Sequence, residues 1–221
     1  MTSGLRISEV FLSLQGEGPS AGTPAHFVRL QGCDVGCHWC DTKYSWEFGA
    51  GQAIDFEELW RRARELGESR LLVVTGGEPL EHPGVEALLE QALEGWERVE
   101  VETSGIAPPP LCDPRLFYNV SPKLPSATPR WTETWRHVQA WVQEPRATFK
   151  IVVGDPPDPA DAERLIEAHA IPASRVMLMP EGMTEEKLRA RSLELAEVCK
   201  RTGFRLSPRL HIWMWGARRG V

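Results

Sequence analysis

Three cysteines fall close together, Cys33, Cys37 and Cys40, in the run Gly32-Cys33-Asp34-Val35-Gly36-Cys37-His38-Trp39-Cys40-Asp41-Thr42. Their spacing, C-x3-C-x2-C, lets one short loop hold three corners of an iron–sulfur cube. The fourth iron then has no protein ligand and is open to a substrate, whereas a fully ligated cluster mainly transfers electrons. A tetrahedral zinc site asks for a fourth Cys or His, commonly as two close pairs. His38 sits between two of the cysteines, poorly placed to join them on one ion. Structural zinc completed by the distant Cys112 or Cys199 is the alternative reading. A disulfide is the weakest, because five cysteines is an odd number. The first residues, Met1 to Arg6, read as no secretory signal, and clustered cysteines in such a chain favour metal over cross-link.

Such a loop needs a scaffold. Short apolar runs alternate with amphipathic stretches, which predicts repeated β–α units on a mostly parallel sheet. Strands are expected at Leu5–Leu12, His26–Leu30, Leu71–Thr75, Arg98–Thr103, Leu116–Val120, Thr148–Val153 and Arg175–Met179. Helices are expected from an Asp55 cap to about Leu66, then over Val85–Leu93, Trp131–Val142, Asp161–His169 and Thr184–Arg201. Phe204–Leu206 should open a final extended segment. No linker or repeat divides the chain, so residues 1–221 read as one domain, an α/β fold of the open or incomplete β/α-barrel kind.

Further unusual runs follow predicted strands: Thr75-Gly76-Gly77-Glu78-Pro79, Glu102-Thr103-Ser104-Gly105 and Ser121-Pro122-Lys123. In β/α barrels the loops after the strands meet on one face and build the active site. Glycines let backbone approach a ligand, Glu78 can accept from an ammonium group, and Ser121 and Lys123 can bind a carboxylate or a ribose hydroxyl. S-adenosylmethionine has an amino group, a carboxylate and a ribose, and its amino-acid end could chelate the open iron.

Composition narrows the class. Hydrophobic residues make up 42% and charged residues 25%, as in an ordinary globular protein. No apolar run approaches the roughly 20 residues of a membrane span, and a formal net charge of −6 gives no general attraction to nucleic acid. A cytoplasmic protein acting without membrane or nucleic acid is expected.

C-x3-C-x2-C with Gly-Gly-Glu-Pro resembles the radical S-adenosylmethionine superfamily. Leu14-Gln15-Gly16-Glu17-Gly18, Phe27-Val28-Arg29-Leu30-Gln31-Gly32-Cys33, Cys40-Asp41-Thr42, the three strand-end runs and Leu210-His211 together resemble the 7-carboxy-7-deazaguanine synthases, over nearly the whole chain. The resemblance implies a modified, incomplete (β/α) barrel of the radical S-adenosylmethionine type. It also implies one four-iron–four-sulfur cluster, S-adenosylmethionine and Mg²⁺, a homodimer, and an external one-electron donor such as flavodoxin. The implied reaction is ring contraction of 6-carboxy-5,6,7,8-tetrahydropterin to 7-carboxy-7-deazaguanine with release of ammonia, in queuosine biosynthesis. It would start from a 5′-deoxyadenosyl radical that takes a hydrogen atom from the pterin.

The resemblance also assigns residues. Cys33, Cys37 and Cys40 hold the cluster, and Thr42 is a Mg²⁺ ligand beside the substrate carboxylate. Arg29 pairs with that carboxylate, Leu14, Gln15 and Gly16 hold the pterin, and Thr75 touches it. Glu17 and His211 are further pocket residues, with a core histidine as the alternative for His211. Trp39, Cys40 and Asp41 flank the adenine. Gly77, Thr103, Ser121, Pro122 and Lys123 contact the rest of S-adenosylmethionine, with Glu78 near its amino group. No partner for Arg29 other than substrate is evident in the sequence. Some relatives end soon after the late histidine, whereas this chain runs on to Val221. The rival readings are a glycyl-radical-enzyme activase, with the same cysteine spacing, and a zinc- or cluster-bearing binding module without catalysis.

Overall fold

Leu71, Leu72, Val73 and Val74 are all buried although they are consecutive. Side chains alternate across a strand, so this run must be covered on both faces, as in a parallel sheet under helices. The computed structural model describes residues 5–221. Residues 1–4, part of both the signal reading and the single-domain reading, lie outside it.

The strands are β1 (Leu5–Leu14), β2 (Pro24–Leu30), β3 (Gln52–Ile54), β4 (Leu71–Gly76), β5 (Arg98–Thr103), β6 (Leu116–Val120), β7 (Ala147–Val153), β8 (Val176–Pro180) and β9 (Arg205–Leu206). They form one sheet in the order β3-β1-β2-β4-β5-β6-β7-β8-β9. β1 is antiparallel to β2 and β3, and every pairing from β2 to β9 is parallel. The sheet does not close, so the fold is the expected incomplete barrel.

The helices are α1 (Phe56–Glu65), α2 (Val85–Gly95), α3 (Trp131–Trp135), α4 (Val138–Gln143), α5 (Asp158–Ala168), α6 (Glu185–Thr202) and α7 (Leu210–Trp215). Asp55 caps α1 by accepting the Glu58 N–H at 2.9 Å, and Thr184 caps α6 from Lys187. Gly203, at φ 76°, ends α6 in the left-handed conformation. Leu59, Ala63, Leu88, Leu89, Leu165 and Leu195 join Leu72, Val74, Val101 and Ile151 in the main core between helices and sheet. A smaller cluster, Ala25, Phe27, Leu71 and Val73 with Phe11, lies on the other face.

Two expectations need correction, and one strand was missed. The helix over Trp131–Val142 is two helices. The Trp135 indole donates to Lys123 O at 2.8 Å and the Trp141 indole to Ala107 O at 3.0 Å, so each piece is anchored to a different loop and the break lies between the anchors. The last segment is extended only at Arg205–Leu206. Its chain then turns into α7, where the Leu210 N–H meets Gly16 O at 2.9 Å. β3 was not foreseen. Its three residues carry no period of their own and exist as a strand by pairing with Leu5, Arg6 and Ile7.

Candidate active site

The loops that follow β2, β4, β5 and β6 open on one cavity of about 330 Å³, within the range of small-molecule sites. The cysteine loop leaves β2 and is tied down along its length. Gly32 N–H donates to Ser45 O at 2.8 Å, His38 N–H to Ala127 O at 2.9 Å, and the Thr128 hydroxyl to Val35 O at 2.7 Å. Cys33, Cys37 and Cys40 all line the cavity. Cys40 Sγ accepts from the Trp46 indole at 3.3 Å and from Thr42 N–H at 3.4 Å. N–H donors on sulfur stabilise a thiolate and tune a cluster. Burial pushes the Cys33 thiol up to about 12 and the Cys37 thiol up as well, with Lys123 opposing the latter. These thiols are therefore protonated until a metal displaces the proton.

The donor set fits an iron–sulfur cube better than zinc. Among the described residues no three His, Cys, Asp or Glu side chains converge as they would on one ion. A cube spreads three thiolates over three irons and has no such requirement. Cys112 is exposed and Cys199 is buried in α6, and neither lines the cavity.

Glu78 joins two of the loops. Its carboxylate accepts the Thr103 hydroxyl at 2.6 Å, Ser104 N–H at 2.6 Å and Leu80 N–H at 3.0 Å, and it is 2% exposed. A carboxylate offers about four acceptor sites, so one remains for a further donor. Ser104, on the same wall, has a buried hydroxyl without a partner among the described residues. Gly77 lies where the β4 loop crosses the cysteine loop. A Cβ there would collide with Gly32 O and lie 2.7 Å from Ser45 O. Lys123 Nζ donates to Ser121 Oγ at 3.1 Å and stands 5.7 Å from the Trp39 ring centroid.

The opposite wall comes from the two chain ends. Gly18 N–H donates to Ser207 Oγ at 2.9 Å, and with the Leu210–Gly16 bond this docks the Leu14–Gly18 loop on the α7 segment. Gly16 needs no side chain there, since a Cβ would strike the His211 ring. Burial lowers the His211 pKa, with Glu17 opposing. Glu17 shares Lys150 with Glu102, each at 2.6 Å, and accepts from Arg209 at 3.2 Å. Burial would raise the Glu17 carboxyl, but Lys150, Arg209 and His211 override it and hold it far below the usual range. Glu102 goes the other way: burial raises it and Lys150 offsets only part of that. Arg209 also pairs with Asp41, which links the cysteine loop to this wall.

All the site residues that the resemblance assigns line this cavity except Pro122, which is buried beside it. Thr42 Oγ1 lies 3.5 Å from Cys40 Sγ, and Thr75 lines the cavity opposite Arg29 in the register of β4 on β2. Arg29 does have a protein partner. Its Nε donates to Glu9 Oε1 at 2.7 Å, and Tyr44 and Arg219 bind the same carboxylate. Sequence reading missed Glu9, Tyr44, Lys150 and Arg209 on the walls. Only Lys150 carried a signal, as a lone cation in the apolar run Thr148–Val153.

An open, mostly parallel barrel with three cysteines on the loop after its first parallel strand defines a radical S-adenosylmethionine enzyme. The model of the Radical SAM superfamily matches residues 27–116, which include all three cysteines and the Gly-Gly-Glu-Pro run. The chain is 44% identical to the 7-carboxy-7-deazaguanine synthase of Pyrobaculum aerophilum, over 99% of this chain and 98% of that one. It is 38% identical to that of Hyperthermus butylicus, over 94% and 92%. The crystal structure of QueE from Escherichia coli superposes with a TM-score of 0.67 at 30% identity, covering 93% of this chain and 94% of that one. The chain belongs to the 7-carboxy-7-deazaguanine synthase family.

Proposed function

We propose that this cavity contracts the ring of 6-carboxy-5,6,7,8-tetrahydropterin to 7-carboxy-7-deazaguanine and releases ammonia, the step that supplies queuosine biosynthesis. The observation that carries the reading is that the three-cysteine loop and the Leu14–Glu17 loop with Arg29 open on one cavity. A cofactor and a separate small substrate can thus meet there. When bound, the cluster and S-adenosylmethionine supply a carbon radical able to take a hydrogen atom from substrate.

The residues divide the work. Cys33, Cys37 and Cys40 ligate the cluster and leave one iron for S-adenosylmethionine. Glu78 has capacity for one more donor and takes the methionine ammonium. Gly77, Thr103, Ser121, Pro122 and Lys123 form the rest of that cradle, and Trp39, Cys40 and Asp41 border the adenine. Arg29 Nη1 also donates to Gly76 O at 3.4 Å, and its remaining outer N–H groups serve the substrate carboxylate. Thr42 offers a hard oxygen to Mg²⁺ next to that carboxylate. Leu14, Gln15 and Gly16 hold the pterin, with Thr75, Glu17 and His211 around it. Residues 1–221 act as one domain, in a cytoplasmic homodimer reduced by flavodoxin or a similar one-electron donor. Among the described residues no helix is long and apolar enough to cross a membrane.

Anaerobic reconstitution with iron and sulfide, followed by substrate, S-adenosylmethionine, Mg²⁺ and dithionite, should give 7-carboxy-7-deazaguanine by mass spectrometry. Cys33→Ala should abolish it. Deoxyadenosine without that product would overturn the substrate and leave the radical chemistry.

A further inference from the structure

β7 runs Ala147–Val153 through the apolar sheet, yet its centre is a lysine. Phe149 and Ile151 are fully buried in the core under the helices. Alternation then turns Lys150 and Val152 to the cavity, and both line it. Lys150 is 3% exposed. Burying an ammonium costs several kcal/mol, and an apolar side chain of similar size would serve packing at least as well. A lysine here calls for a role in the cavity.

Its hydrogen bonds leave room for one. An ammonium has three donors. One goes to Glu17 Oε2 and one to Glu102 Oε2, both at 2.6 Å, and among the described residues Nζ has no third acceptor. The two carboxylates are themselves fixed. Glu102 Oε1 accepts from Gln15 at 3.1 Å and from Asn119 at 3.0 Å, and Glu17 Oε1 accepts from Arg209. Lys150 is therefore a rigidly held donor beside a rigidly held acceptor, Glu17, on one wall. The oxo-pyrimidine edge of a pterin has the complementary order, a carbonyl oxygen next to a ring N–H.

We propose that Lys150 donates its third hydrogen bond to the ring carbonyl oxygen of the pterin, with Glu17 accepting from the neighbouring N–H, so that the pair selects a 4-oxo over a 4-amino ring. This assignment rests on the pterin reading of the cavity. Lys150 contacts substrate here, and its ion pairs to Glu17 and Glu102 are what aim it.

The test is ligand binding to the reconstituted protein with S-adenosylmethionine present, using two stable probes, 6-carboxypterin and 2,4-diaminopteridine-6-carboxylic acid. The wild type should bind the oxo compound about tenfold to a hundredfold more tightly, the value of a hydrogen bond from a charged donor. Lys150→Met should weaken the oxo compound more than the diamino compound and so narrow the gap, Glu17 keeping its share of the preference, while leaving S-adenosylmethionine binding unchanged. Lys150→Met/Glu102→Gln, which removes the unpaired carboxylate, should do the same if the single variant folds poorly. A merely structural lysine predicts equal weakening of both probes, and that result overturns the assignment. Equal affinity of the wild type for both probes overturns it without any variant. If the wild type binds neither pteridine, the pterin reading falls and the assignment with it.

Discussion

Arg29 Nε lies 2.7 Å from Glu9 Oε1, and the register of β1 on β2 sets the two residues directly opposite each other. The register shifts between Ile7 and Glu9, and that irregularity brings the carboxylate to the cavity face. Tyr44 donates to the same carboxylate at 2.6 Å, and Arg219 does so at 3.1 Å. Burial would raise the Glu9 carboxyl, but Tyr44, Arg29 and Arg219 together hold it below its usual value. A charged Glu9 thus orients Arg29 from its Nε side. Arg29→Ala should reduce kcat/KM for 6-carboxytetrahydropterin by about a hundredfold or more, as expected for loss of a forked ionic contact. Glu9→Gln should raise KM severalfold with S-adenosylmethionine binding unchanged. Steady-state kinetics on both variants check this, and an unchanged KM in Arg29→Ala would remove Arg29 from the substrate contacts.

That pair marks where the sequence stops being readable. The strand-end runs were legible because Gly-Gly-Glu-Pro, Glu-Thr-Ser-Gly and the cysteine run each break an apolar strand, and strand ends converge in a parallel barrel. The Glu9–Arg29 pair was not, because it depends on the register of two strands joined by a loop whose geometry leaves no periodic trace. Arg209 was missed for a similar reason. It reaches Glu17 and Asp41 only because α7 docks on the Leu14–Gly18 loop through Leu210–Gly16 and Ser207–Gly18 contacts. The break between α3 and α4 reflects tertiary anchors on Trp135 and Trp141 that helical periodicity cannot contain.

Gly77 should tolerate no side chain. Its would-be Cβ meets two backbone oxygens, from Gly32 and Ser45, and neither can swing aside as a flexible side chain could. Gly77→Ala must therefore push the β4 loop off the cysteine loop, an overpacking cost of about 1–3 kcal/mol. The expected result is less iron per chain after reconstitution and weaker S-adenosylmethionine binding. Iron analysis and equilibrium dialysis would show it, and wild-type values for both would contradict the close crossing.

Glu78 should matter to stability before it matters to catalysis. Replacing it with Ala orphans Thr103 Oγ1 and the Leu80 and Ser104 N–H groups, of which the Thr103 and Ser104 bonds are buried. Each buried orphan costs about 1–3 kcal/mol. Glu78→Ala should lower the urea midpoint clearly, whereas Glu78→Asp, which keeps the charge, should recover only part of it. A wild-type midpoint for Glu78→Ala would mean that those donors find other acceptors.

His26 gives a pH dependence whose sign follows from its partners. The Trp96 indole donates to His26 Nδ1 at 3.1 Å, so that nitrogen is the acceptor and Nε2 carries the proton toward Gly67 O, also 3.1 Å away. Protonating Nδ1 would set two N–H groups against each other in a site only 3% exposed. Burial therefore lowers the His26 pKa below 6.5, the two backbone contacts opposing only in part. Between the lowered folded value and 6.5 the unfolded chain binds a proton that the folded chain refuses. Stability is then full above 6.5 and is lost as pH falls below it, by at most about 1.4 kcal/mol per pH unit for one site. His82, His169 and His211 are shifted the same way and add to the fall. His26→Gln keeps an acceptor for Trp96 but cannot titrate. Its unfolding free energy should drop less steeply than that of the wild type between pH 6.5 and 5, the other three histidines still contributing. Parallel curves for the two proteins would show that His26 takes up its proton in the folded state.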